Sequence, residues 1–190
     1  MESFLTSTGL VALAEIGDKT QLLSLMLAAR FRRPWPIIAG ILVATLANHA
    51  AASALGAWLT GIASPQVLRW GLGLSFLAMA AWTLVPDQLE VGAADRGGGR
   101  LVVFGTSLFA FFLAEMGDKT QVATIALAAS FGEFVPVVLG TTAGMMAANM
   151  PAVLAGNGLG QRLPVRLVHA VAAAVFALIG LAAIFGDAVG

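Results

Sequence analysis

The chain has 190 residues, 59% of them hydrophobic and 11% charged, with a mean hydropathy of +0.91; a soluble domain carries about a quarter charged residues, so the composition argues against one. At roughly 20 apolar residues for each crossing of a hydrocarbon core about 30 Å thick, there is room for six helical spans and for no sizeable extramembrane domain. Ten Lys plus Arg balance ten Asp plus Glu, so no global field points to nucleic acid, and zero cysteines exclude disulfides, thiolate metal sites and thiol catalysis.

Apolar runs set against breakers predict helical spans over residues 4–29, 36–59, 67–85, 101–129, 134–156 and 165–185. The first run follows Met1-Glu2-Ser3, which lacks the basic n-region of a signal peptide, and is expected to be a retained span. Of the connections, only residues 86–100, with Gly97-Gly98-Gly99, read as a flexible linker. The first, third and fifth connections and their edges hold Arg30, Arg32, Arg33, Arg96, Arg100, Arg162 and Arg166, whereas the other side holds only Arg69. By the positive-inside rule the arginine-rich loops are cytoplasmic and both termini lie on the opposite side.

The halves are copies. Ala14-Glu15-Ile16-Gly17-Asp18-Lys19-Thr20-Gln21 recurs as Ala114-Glu115-Met116-Gly117-Asp118-Lys119-Thr120-Gln121, an offset of 100 that also aligns Phe31 with Phe131, Pro36 with Pro136, Gly40 with Gly140, Gly56 with Gly156 and Asp87 with Asp187. Each copy contributes three spans, an odd number, so the second enters the membrane inverted. The expected fold is therefore an all-α polytopic membrane protein of six transmembrane helices in two inverted three-helix repeats, residues 1–95 and 96–190, with a substrate site near the midplane where the repeats meet.

Six charged side chains fall inside predicted spans: Glu15, Asp18, Lys19, Glu115, Asp118 and Lys119. Each charge costs about 2.5–3.5 kcal/mol on insertion scales, so the six should face the bundle interior or water. On a continuous helix, Glu15, Asp18 and Lys19 share an arc of about 100°, with Gly17 and Thr20 pointing elsewhere. Inversion can bring the matching faces of the first and fourth spans together, gathering four carboxylates into an oxygen-rich pocket suited to a hard divalent cation. Four negative and two positive charges leave minus two, which a divalent ion balances. The i,i+4 spacing pairs Glu15 with Lys19 and leaves Asp18 and Asp118 as the uncompensated anions. Gln21 and Gln121 offer carbonyl oxygens if the helices unwind near Gly17 and Gly117, and Asn48 and Asn149 stand ready either for ligation or for interhelical hydrogen bonds. His49 and His169 are read as packing or interfacial residues. A purely structural salt-bridge cluster is the bland alternative, but a duplicated carboxylate pair exceeds what helix register requires.

The doubled Glu15-Ile16-Gly17-Asp18-Lys19-Thr20 and Glu115-Met116-Gly117-Asp118-Lys119-Thr120 resembles the signature of the second calcium:cation antiporter family, which includes Golgi calcium/manganese:proton exchangers and prokaryotic manganese exporters. The resemblance covers essentially the whole chain. It implies a secondary transporter, not an enzyme, that exports Mn2+ or Ca2+ from the cytoplasm in exchange for protons. Glu15, Asp18, Glu115 and Asp118 would be the cation and proton sites, supported by Lys19, Thr20, Lys119 and Thr120. The metal is substrate, and no cofactor is expected. Membrane lipid surrounds the protein, a prokaryotic inner membrane is the expected location, and a homodimer is a candidate assembly. The short central linker departs from relatives that carry a long acidic loop there. Two other functions remain open from the residues alone: export of an amino acid or organic cation, which an acidic pocket would also suit, and a cation channel. A hydrolase is disfavoured, since there is no H-E-x-x-H and no Ser–His pairing that the spacing recommends.

Overall fold

The computed structural model describes residues 1–85, 99–155 and 165–185. The expectations that involve Arg96, Arg162, Gly97-Gly98 and the partners Asp87, Gly156 and Asp187 lie outside the described residues. Those described form eight helices: α1 (Glu2–Glu15), α2 (Lys19–Phe31), α3 (Pro34–Ile62), α4 (Pro65–Thr83), α5 (Arg100–Glu115), α6 (Lys119–Phe131), α7 (Phe134–Ala155) and α8 (Val165–Phe185).

The count of six continuous helices needs correction. The runs 4–29 and 101–129 each break in two at the acidic motif, for reasons that lie in the motif itself. The other four runs are single helices within a few residues of the expected bounds. Among the described residues, α3 and α7 are each long and apolar enough to cross a membrane, and α5 with α6 passes the same test as a pair, bent by 71° at the break between them.

Local chemistry sets the helix ends. α2 ends on Arg32 in the left-handed region (φ 50°) and α6 on Gly132 (φ 65°), with N–H groups donating to Ala28 O and Ala128 O, both at 3.0 Å. Pro34 and Pro65 then open α3 and α4 at first-turn positions that need no N–H donor.

Packing repeats at the same offset as the sequence. A Cβ on Gly40 of α3 would meet Phe104 O and the Ser107 side chain of α5; one on Gly140 of α7 would meet Phe4 O and the Ser7 side chain of α1. Glycine is needed at both places because two backbones touch there. Phe76 of α4 stacks on its own counterpart, Phe176 of α8, with ring centroids 6.3 Å apart.

Two apolar clusters flank the motifs. One joins α1, α4, α6, α7 and α8 around Leu10, Phe76, Leu127 and Phe176, and the other joins α2, α3, α5 and α7 around Leu27, Ile41, Phe111 and Val153. Polarity is inverted relative to a water-soluble protein. Glu15, Asp18, Glu115, Asp118 and Lys119 are buried, while Leu74, Phe109, Leu154 and Leu178 are exposed on the outer faces. Lipid, not water, is the solvent that such a surface suits.

Candidate cation site

The break in each long run is a turn that the sequence demands. After α1 ends at Glu15, Ile16 is extended (φ −65°, ψ 116°) and Gly17 takes φ 81°, and the Asp18 N–H donates to Glu15 O at 3.1 Å. These are the dihedrals and closing bond of a type II turn, which calls for glycine at its third position. The second copy repeats it: Met116 at φ −64°, ψ 121°, Gly117 at φ 73°, and Asp118 N–H to Glu115 O at 3.2 Å. Gln21 and Gln121 reach back so that their Oε1 atoms accept from the N–H groups of Gly17 (2.8 Å) and Gly117 (2.9 Å). The helices do unwind at Gly17 and Gly117, but these two carbonyl oxygens are engaged in closing the turns.

The turns re-aim the charged groups, and the expected i,i+4 pairing is overturned. Glu15 and Lys19 sit on different helices, so each lysine crosses to the other half: Lys19 Nζ bonds Asp118 Oδ1 at 2.7 Å and Lys119 Nζ bonds Asp18 Oδ1. Asp18 and Asp118 are thus the ion-paired carboxylates, and not the uncompensated ones. Glu15 is held by hydroxyls, accepting from Thr20 Oγ1 at 2.5 Å and from Thr120 Oγ1 of the other half. Thr20 therefore faces the site, contrary to the continuous-helix expectation.

Glu115 is different. It is buried, and among the described residues neither of its carboxylate oxygens has a hydrogen-bond partner; Asp118 Oδ2 also has none there. Oxygens of Glu15, Glu115 and Asp118 lie within 4.8 Å of one another. Opposite oxygens around a six-coordinate hard cation stand about 4–5 Å apart, so the three can face one ion. Asp18 adjoins this trio through Lys119, the lysine that is wholly buried; the Lys19 side chain is 21% exposed. A buried pocket with a carboxylate that accepts no hydrogen bond from the described residues can take up either a metal ion or protons.

The two asparagines act between helices. Asn48 Nδ2 donates to Phe112 O of α5 at 3.1 Å, and Asn149 accepts from Ser24 Oγ at 2.7 Å while donating to Met145 O. His169 has a sharper place than packing alone: its Nε2 donates to Ile16 O at 2.8 Å, so α8 holds the carbonyl exposed by the first break. A signal for it existed, since His169 occupies the position equivalent to Arg69, itself donating through Nε to Ile184 O at 2.7 Å.

Comparison with known proteins agrees with this chemistry. A family model described as "Divalent cation/proton antiporter GDT1" matches residues 3–90 and 103–189. A Vibrio cholerae serotype O1 protein named "Putative manganese exporter" is 51% identical over 178 residues, covering 92% of this chain and 86% of that protein. GDT1-like protein 3 of Arabidopsis thaliana is 27% identical over 201 residues (92% and 68%), and GDT1-like protein sll0615 of Synechocystis is 25% identical over 199 residues (94% of each). No solved structure matches. The chain belongs to the divalent cation/proton antiporter family GDT1.

Proposed function

We propose that the protein crosses the membrane six times as two inverted repeats, residues 1–95 and 96–190, with both termini on the non-cytoplasmic side, and exports Mn2+ from the cytoplasm in exchange for protons, with Ca2+ as the second candidate substrate. Support for inversion comes from the reciprocal contacts: Gly40 on α5 and Gly140 on α1, Lys19 to Asp118 and Lys119 to Asp18, and Phe76 on Phe176. The manganese assignment leans on the name of the Vibrio relative. The observation that carries the mechanism is the buried trio of Glu15, Glu115 and Asp118 oxygens within 4.8 Å, one of them on a carboxylate to which no described residue donates.

Glu15, Asp18, Glu115 and Asp118 are the cation and proton sites in this scheme. Lys19 and Lys119 supply a fixed charge of plus two, so the ionised pocket stands at minus two. One divalent ion neutralises it, and so do two protons. Both loads cannot occupy the same oxygens, because metal ligation requires the carboxylates to be deprotonated. A pocket that reorients across the membrane only when neutral therefore moves one metal ion one way and two protons the other. The threonines hold Glu15 in place by donating to its two oxygens, while Glu115 depends on the load itself for a partner.

Purified protein in vesicles with an acidic interior should accumulate Mn2+ against its gradient while protons leave, and an ionophore that collapses the pH difference should stop the uptake. Metal entry at an unchanged rate without a pH gradient or proton movement would leave a cation channel as the better reading. Failure to bind Mn2+ or Ca2+ in the absence of an organic solute would favour export of an amino acid or organic cation.

A further inference from the structure

α3 carries a file of buried polar groups that neither packing nor the carboxylate site uses. Thr45, His49 and Ser53 are all fully buried, and among the described residues Thr45 Oγ1, both ring nitrogens of His49 and Ser53 Oγ have no hydrogen-bond partner. Spaced by four, they rise about 6 Å per step along one face of the helix. An imidazole always presents at least one N–H, so a buried histidine with neither nitrogen engaged carries an uncompensated desolvation cost. Orphaned polar groups of this kind call for an occupant or a function.

The register of α3 places this file at the level of the acidic motif. Gly40 abuts Phe104 and Leu108, Asn48 bonds Phe112 O, and Gly56 abuts Ile125 and Ala128, so α3 runs in the same direction as α5 and then reaches α6. Gly56 is seven residues past His49 and shares its azimuth to within about 20°, which turns the file toward α6. Glu115 lies three residues beyond Phe112, about 4.5 Å further along, at a level between His49 and Ser53. The titratable groups on the elements packed against α3 are Arg100 and Glu115 on α5, Lys119 on α6, and Lys19 and Arg30 on α2; α7 has none, and His49 is the one titratable residue of α3.

We propose that Thr45, His49 and Ser53 line the route by which protons reach and leave the carboxylate cluster, with His49 as the relay. The proposal rests on the antiport reading above. Steps of about 6 Å suit one water bridging each neighbouring pair at ordinary hydrogen-bond lengths. A proton arriving on one ring nitrogen is matched by release of the proton on the other to the next water, and from there to Glu115, so the imidazole ends neutral. Threonine and serine hydroxyls hold the waters in line and both donate and accept along it.

The test separates proton movement from metal movement in the full-length protein reconstituted into vesicles. Mn2+/Mn2+ exchange at equal pH requires the carboxylates but no net proton transfer, whereas uptake driven by a pH gradient requires both. His49→Gln, which retains hydrogen bonding but cannot relay a proton, should keep Mn2+ exchange within two-fold of the parent, slow proton-driven Mn2+ uptake at least ten-fold, and alter the dependence of that uptake on pH. Ser53→Ala should show a smaller loss in the same direction. Proton-driven uptake within two-fold of the parent and with the same pH profile in His49→Gln would overturn the relay, and so would equal loss of exchange and driven uptake, which marks a structural role. If His49→Gln does not yield folded protein, the same comparison in Ser53→Ala decides the matter, an unchanged ratio of driven uptake to exchange overturning the proposal. Absence of proton-driven uptake in the parent would instead refute the antiport reading.

Discussion

Replacing Glu115 by glutamine isolates the charge of one carboxylate better than any other change in the site. Its two oxygens have no donors among the described residues, so the substitution breaks no hydrogen bond or ion pair there. It removes one unit of negative charge from a cluster whose oxygens lie within 4.8 Å of each other. At an effective dielectric of about 20, a unit charge roughly 4 Å from a divalent ion contributes about 8 kcal/mol of attraction, twice the figure for two unit charges. Desolvation of carboxylate and metal cancels most of that, leaving a net loss of about 2–4 kcal/mol, or about 30- to 1,000-fold in Kd. Stability should stay level or rise, because a neutral amide relieves the like-charge crowding around Glu115. Asp18→Asn makes the contrast: it takes away the carboxylate bonded to the wholly buried Lys119, and breaking such a pair costs about 3–5 kcal/mol of stability. Calorimetric titration with Mn2+ and thermal unfolding of both purified variants in detergent measure the two effects separately. Parent-like Mn2+ affinity in Glu115→Gln would refute the assignment of this cluster as the cation site.

Backbone contacts and topology can be tested independently. An alanine Cβ at Gly140 would stand 2.6 Å from Phe4 O, and at Gly40 2.7 Å from Phe104 O; each substitution should cost about 1–3 kcal/mol by overpacking, and a parent-like melting profile would refute the close approach of these helices. Gly117→Ala meets nothing within 4 Å but holds φ 73°, so its cost of about 1–2 kcal/mol should be conformational alone. The chain has no cysteine, so single cysteines introduced at Arg32 and Ser64 should react with an impermeant thiol reagent from opposite faces of the membrane, and labelling from one face would refute the proposed topology.

Much of the fold was readable because its signals are long and redundant. Apolar runs bounded by Pro34, Pro65 and Arg32–Arg33 give the ends of α2, α3 and α4 to within a few residues, and an offset of 100 that carries Gly40 onto Gly140 announces the paired contacts those glycines make. The breaks were harder to see. Glu15 to Gln21 contains no proline and lies within one apolar run, and only Gly17 and Gly117 hint at a turn that needs φ above zero. Reading helix through that turn put Glu15 next to Lys19 and sent Thr20 away from the site. Two residues of left-handed or extended backbone reverse both conclusions.

The identity of the carboxylate left without donors was not legible at all, and the reason is physical. The two motifs differ only at Ile16 and Met116, so sequence assigns Glu15 and Glu115 the same role. In three dimensions both threonine hydroxyls turn to Glu15 and none to Glu115, while Lys119 is sealed in and Lys19 keeps partial exposure. Repetition fixes which residue types reach the pocket, but two copies of one donor cannot each satisfy both glutamates when the pocket is narrow enough for their oxygens to lie within 4.8 Å. The donors fall on one side, and the other carboxylate is left with a charge that must be met from outside the protein. That inequality between equivalent residues gives a binding site a reason to hold either a metal ion or protons, where a fully satisfied network of the same six charges would hold neither.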